Sequence, residues 1–196
     1  MAADSLRERK KARTHDQIAE VALYLFTTQG YDATTLEEIA AAADVHKRTL
    51  LRYFPSKAHL VLHRQIAVLE AFKSELEGRK DAPALEVWRR HVTTHAKTVA
   101  RRGANLDMTK ITEATPELRG EMLKIQLEYQ TALQRELERD YARIPDRELR
   151  TNVAAAALVG GNYAVAGRIS QRDAYHRLER SVLKVIDLVR TRLLES

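Results

Sequence analysis

Ile18, Ala22, Leu25 and Phe26 recur at three- and four-residue spacing, which predicts an amphipathic helix from about Arg13 to Gln29 with Gly30 as its C-cap. Leu36, Ile39, Ala40 and Ala43 give a second, short helix one buried face, and Leu50 and Phe54, four apart, do the same for a third. Leu62, Ile66, Leu69, Phe72 and Leu76 stripe a long helix from Pro55-Ser56 to about Glu77. Gly78 to Pro83 reads as a linker. Helical spacing then resumes over Leu85–Arg102, Leu106–Glu113, a long helix opened by Thr115-Pro116, Glu148–Arg168 and Asp173–Leu194. No stretch alternates with period two, so the expected class is all-α with about nine helices.

The stretch from Thr34 to Lys57, TTLEEIAAAADVHKRTLLRYFPSK, is punctuated closely enough to predict a motif. Thr35 and Glu38 fit the Thr-x-x-Glu capping box that satisfies the free N–H groups at a helix start. Asp44 falls where the first helix must stop, and Asp tolerates a left-handed backbone better than most residues. With Leu50 and Phe54 turned inward, Lys47, Arg48, Thr49, Arg52 and Tyr53 lie on or near the open side of the second helix. A helix-turn-helix presents its second helix to the DNA major groove in this way. Arg48 and Lys47, at the start of that helix, are suited to base edges, since Arg pairs bidentately with guanine. Thr49 and Tyr53 carry hydroxyls for phosphate, and Thr35 and Lys57 sit at helix starts, where free N–H groups attract phosphate. Residues 1–12 read as a flexible basic arm in which Arg9, Lys10 and Lys11 either enter the minor groove or remain solvated.

Composition changes this picture little. The chain has 196 residues, a net charge of +6 and no cysteine, which excludes disulfides and thiolate metal sites. Residues 1–57 are nearly balanced in charge, so local basic clusters are better evidence for DNA than the bulk excess. The N-terminus has no signal-peptide pattern, and no segment has the length of apolar sequence that a membrane span needs, so the cytoplasm is the expected location. No nucleophile elbow, phosphate loop, dinucleotide fingerprint or paired carboxylate site is visible; neither an enzyme nor a cofactor is expected. His91-x-x-x-His95 has a spacing that zinc accepts, but no third ligand accompanies it, and no metal is expected.

At these residues the chain resembles the TetR family of transcriptional regulators, through Thr34, Thr35, Ile39, Ala40, Val45, Thr49, Leu50, Phe54, Ser56 and Lys57, with Phe26, Gly30 and Tyr31 upstream. It departs from the family pattern at Asp44 for Gly, His46 for the capping Ser, and Leu51 for a Tyr that usually touches phosphate. The resemblance implies a three-helix DNA-binding head over 13–57 and a six-helix ligand-binding and dimerisation body over 58–196. It implies a homodimeric, ligand-responsive regulator, a repressor released from palindromic operator DNA by a small apolar or amphipathic effector. A ligand-independent architectural DNA-binding protein is the alternative.

Trp88, His91, His95, Met108, Met122, Gln126, Tyr129, Asn162 and Tyr163 combine apolar walls with a few hydrogen-bonding groups, so they either line a ligand cavity or fill the body's core. Ala157, Gly160, Gly161 and Ala164 are small residues at four-residue spacing that admit a second backbone, and the family's last two helices form the dimer interface. With Leu178, Val182, Val185 and Val189 on the terminal helix they are the expected interface; a local kink at the two glycines is the other reading.

Overall fold

The computed structural model describes residues 2–102, 106–167 and 175–195, with side chains described outside 1–5, 7–8, 99–108 and 166–178. Among the described residues every regular element is helical. They are α1 (Ala2–Thr28), α2 (Leu36–Ala42), α3 (Lys47–Tyr53), α4 (Lys57–Glu77), α5 (Ala84–Arg102), α6 (Leu106–Ala114), α7 (Pro116–Asp140), α8 (Arg147–Gly167) and α9 (Tyr175–Val189), the last continuing into a π-helical turn at Arg190–Leu194. No described helix is long and apolar enough to cross a membrane.

The first helix is longer than its apolar stripe. α1 begins at Ala2, not near Arg13, so the expected arm forms its first turns. The segment is rich in Arg, Lys, Glu and Ala, which have high intrinsic helix propensity, and it simply prolongs a helix nucleated by its buried end. Other boundaries follow local chemistry. The Ser56 hydroxyl accepts from the backbone N–H of His59 at 3.2 Å and so caps α4. Gly30, with φ +92°, ends the α1 region where a Cβ would be strained.

The chain forms two compact units, each built around its own core. The first comprises Met1–Gln65 together with Asn105–Met122. Its core holds Ile18, Ala22, Phe26, Ile39, Leu50, Phe54 and Leu62, joined by Leu118 from α7. The Tyr31 hydroxyl donates to Glu117 at 3.2 Å, tying the start of α7 to the segment after α1. The family-based division at residue 57 therefore does not coincide with the packing: α6 and the first turns of α7 belong with the helix-turn-helix.

The second unit comprises Ile66–Ala104 and Leu123–Ser196. Leu69, Phe72, Leu76, Trp88, Tyr129, Leu133, Leu137, Leu158, Val182 and Ile186 fill its core. A charged clamp closes one end. Arg79 donates through two nitrogens to Asp140 at 2.7 and 3.0 Å and through Nε to Glu136 at 3.3 Å. Asp140 also accepts from the N–H of Ala84 at 2.6 Å, capping α5. Bidentate geometry and a shared cap make this a rigid joint between the α4–α5 connection and the end of α7.

Candidate nucleic-acid interface

The site is set up by local hydrogen bonds. Thr35 caps α2: its hydroxyl accepts from Glu38 N–H at 3.2 Å, while the Glu38 carboxylate accepts from Thr35 N–H at 2.7 Å and from its hydroxyl at 2.8 Å. These bonds hold the Glu38 carboxyl below the usual range. α2 ends at Asp44, which adopts φ +51°, and Val45 N–H returns to Ala40 carbonyl at 2.9 Å. That left-handed residue turns the chain into α3, as expected from an Asp in place of Gly. Gln17 on α1 donates to the Ala43 carbonyl at 3.0 Å and so braces the turn from behind.

α3 is held by its inner side. Leu50 is fully buried and Phe54 nearly so, while Lys47, Arg48, Leu51 and Arg52 are exposed. His15 of α1 stacks on Phe54 at 4.6 Å between ring centroids, and His63 of α4 meets Phe54 edge-on at 5.9 Å. His46 precedes α3 without any side-chain capping bond, and its carbonyl accepts from the N–H groups of Thr49 at 2.8 Å and Leu50 at 3.0 Å.

The expected DNA-contacting residues separate into groups. Arg48 and Arg52 are exposed on the open face, with the Arg52 guanidinium 5.6 Å from the Tyr53 ring centre. Lys47 is also exposed but is paired with Glu37 of α2, and this partner holds the Glu37 carboxyl below its usual range. Thr49 and Tyr53 are half-buried at the edges of the same face. Thr35 is exposed, its hydroxyl engaged in the capping box. Lys57 is placed differently. Its ammonium donates to the carbonyls of Tyr31 at 2.8 Å and Thr34 at 3.2 Å and lies 4.2 Å from the Tyr31 ring centre. Half-buried and so engaged, Lys57 ties the start of α4 to the α1–α2 connection. Arg9, Lys10 and Lys11 lie along α1, and a helix some 10–12 Å across does not fit a minor groove about 6 Å wide.

The body residues expected around a ligand are only partly gathered. Trp88, His91 and Tyr129 surround Phe72, with ring centroids 5.3, 4.7 and 5.3 Å from it. Phe72 is itself fully buried; its place in the α4 stripe was legible, but nothing in the sequence marked it as the centre of this cluster. His91 Nε2 and the Tyr129 hydroxyl are 3.3 Å apart. Burial pushes the His91 imidazole down to about 4, with the nearby His95 adding to the effect, and pushes the Tyr129 and Tyr163 phenols up. These groups are therefore neutral hydrogen-bonding partners near pH 7. Asn162 is buried, and among the described residues neither its amide nor the Trp88 indole N–H finds a partner. Gln126 and Tyr163 are half-buried and His95 is exposed. Met122 belongs to the first unit, and the side chain of Met108 lies outside the described residues. Among the described residues no three His, Asp or Glu side chains gather as metal ligands. An open depression of about 570 Å³ is lined by Asp146, Arg147, Glu148, Leu149 and Asn152, none of them from the aromatic cluster.

The small-residue stripe of α8 divides in the same way. A Cβ at Gly161 would lie 2.9 Å from Val185 Cγ1, so this glycine admits α9 of its own chain. Val182 and Val189 are buried within the protomer, and Gly161 is half-buried. Gly160 has nothing within 4 Å of its added Cβ, and Gly160 and Ala164 are exposed, as are Leu149, Val153 and Leu188. Ala157 and Val185 are half-buried, and the side chain of Leu178 lies outside the described residues.

Comparison with known proteins agrees with this geometry. The family model for bacterial regulatory proteins of the tetR family matches residues 18–63, the segment that holds the helix-turn-helix. The HTH-type transcriptional regulator TcmR of Streptomyces glaucescens is 32% identical over 182 residues, covering 89% of this chain and 78% of that protein. Among solved structures, Thermus thermophilus FadR, a TetR-family repressor in complex with lauroyl-CoA, superposes with a TM-score of 0.62 at 20% identity over 89% of this chain and 92% of that one. A SmeT–triclosan complex gives 0.66 at 18% identity over 91% and 90%. At such identities the structural likeness is one of fold. Since the TcmR match extends along most of both proteins and the head carries the family's motif, the chain belongs to the TetR family of transcriptional regulators, and its work is gene control, not catalysis.

Proposed function

We propose that the protein is a homodimeric repressor that binds palindromic operator DNA in the cytoplasm and is released by a small apolar or amphipathic effector. The observation that carries the reading is the open face of α3: basic residues exposed together on a short helix whose other side is locked into a core by Leu50 and Phe54. On this reading Arg48 and Lys47 address base edges, while Arg52, Tyr53, Thr49 and Thr35 address the backbone. Two heads on a two-fold axis match two half-sites one turn, or a multiple of one turn, apart. The dimer contact is assigned to the outward face of α8 and α9, supported by the exposed Leu149, Val153, Gly160, Ala164 and Leu188.

The effector reading is supported by the Phe72, Trp88, His91 and Tyr129 cluster and by the unpaired buried amide of Asn162. Apolar walls with a few neutral polar groups suit an acyl or aromatic molecule. Lauroyl-CoA in Thermus thermophilus FadR and triclosan in SmeT are ligands of that kind in proteins of the same fold. Effector binding lowers operator affinity only if it favours a conformation in which the two heads no longer match their half-sites. α4 and α7, each of which contributes residues to both units, are covalent routes for that coupling.

Selection of binding sites from random duplex DNA, followed by footprinting, tests the first part. A discrete two-fold footprint is expected. Uniform enrichment of all sequences would instead establish an architectural DNA-binding protein. For the effector, acyl-CoA esters and aromatic compounds are screened for a raised melting temperature and a weakened operator complex. Compounds that stabilise the protein and leave operator binding unchanged would refute the release mechanism.

A further inference from the structure

One large apolar side chain stands on the otherwise basic open face of α3. Leu51 keeps 37% of its surface exposed, whereas Leu50 beside it keeps none. It lies four residues from Lys47 and three from Arg48, so it shares their side of the helix. Its basic neighbours are engaged to either side: Lys47 by Glu37, and Arg52 by the ring of Tyr53. Arg48 and Leu51 are left as the centre of the face. Isolated surface leucines are ordinary. This one is set where the fold presents its chemistry to nucleic acid, and leucine neither donates nor accepts a hydrogen bond. Phosphates, sugars and most base edges offer it nothing. The major groove holds one apolar group, the C5-methyl of thymine.

We infer that Leu51 reads a thymine methyl group in each operator half-site, beside the base pair addressed by Arg48. The inference rests on the operator reading given above. Three residues of helix rise roughly 4.5 Å, against about 3.4 Å per base-pair step. The thymine is therefore within about one or two steps of the guanine contacted by Arg48.

The test uses the full chain and an operator obtained by site selection, with each thymine replaced singly by deoxyuridine, which removes only the methyl group. Fluorescence anisotropy should find one thymine per half-site at which the replacement weakens binding about fourfold, the factor expected for one buried methyl group. Leu51→Ala should bind the thymine and uracil operators equally, and Leu51→Met should restore the preference. Circular dichroism of Leu51→Ala should match the parent, since the side chain is exposed. An operator that is bound with no thymine responding to uracil, or with the same response in Leu51→Ala, overturns the inference while leaving the operator reading intact. Failure of the parent to select any site overturns the operator reading, and this inference falls with it.

Discussion

The close approach of α8 to α9 at Gly161 yields a stability prediction whose sign depends on one neighbour. A methyl group at Gly161 would lie 2.9 Å from Val185 Cγ1 and 3.5 Å from Cγ2, closer than carbon atoms pack without displacement. Val185 cannot easily swing away, because a β-branched side chain in a helix has one strongly preferred rotamer. Gly161→Ala thus combines two opposing effects. Helix propensity favours alanine by about 1 kcal/mol, and overpacking costs about 1–3 kcal/mol. The single variant should be neutral to destabilised by about 2 kcal/mol. In a Val185→Ala background both methyl groups are gone and the same substitution should stabilise by about 1 kcal/mol. Gly120→Ala is the reference: Gly120 lies within α7 with nothing inside 4 Å of an added Cβ, so only propensity acts there. At roughly 2–4 °C per kcal/mol for a chain of this size, Gly120→Ala should raise the Tm by about 2–4 °C. The double-mutant cycle at Gly161 and Val185, measured by thermal and urea denaturation, should give a coupling of about 1–3 kcal/mol. Because the contact lies within one chain, that coupling should not vary with protein concentration. Additivity within about 0.5 kcal/mol, with Gly161→Ala stabilising in both backgrounds, would refute the argument.

Three further outcomes are expected. Arg48→Ala should relax preference at one base position of the operator, by about 1–3 kcal/mol, whereas Glu37→Gln, by freeing Lys47, should strengthen binding to all DNA and steepen the salt dependence by about one unit of log–log slope; a uniform loss of affinity in both variants would contradict these roles. Lys57→Met should lower thermal stability by about 1–3 kcal/mol with the salt slope unchanged, since its ammonium serves the Tyr31 and Thr34 carbonyls; an unchanged Tm with a slope reduced by about one would return Lys57 to phosphate. For His91, the folded imidazole titrates near 4 and an unfolded one near 6.5, so between these values the unfolded chain binds the extra proton. Stability contributed by neutral His91 is complete above about pH 6.5 and is lost as pH falls toward 4, by about 2 kcal/mol at about pH 5. His91→Gln should flatten the urea midpoint over that window, and an equally steep curve would show that His91 does not carry it.

How much of this was legible in the sequence depends on the range of the interaction concerned. The capping box at Thr35 and Glu38, the left-handed turn at Asp44 and the inward pair Leu50 and Phe54 are legible in the sequence, because each is settled within a few residues along the chain. The helix order and the helix-turn-helix followed from the same short-range rules, because apolar periodicity reports which side of a helix must be buried. Periodicity does not say against what. That α6 and the start of α7 pack with the head depends on Leu118 and on the bond between Tyr31 and Glu117, 86 positions apart. That Lys57 faces inward follows from carbonyls more than twenty residues away, which no local pattern marks as acceptors. Gly161 announced a close approach through its lack of a side chain, yet a missing Cβ carries no label for its neighbour: only the tertiary structure assigned it to Val185 of the same chain. The amino-acid sequence by itself determined the helices and the turn that expose α3, since those rest on backbone hydrogen bonds and local caps. Which side chains remained free on that face, and which were spent holding the fold, was decided by contacts that exist only once distant segments are packed together.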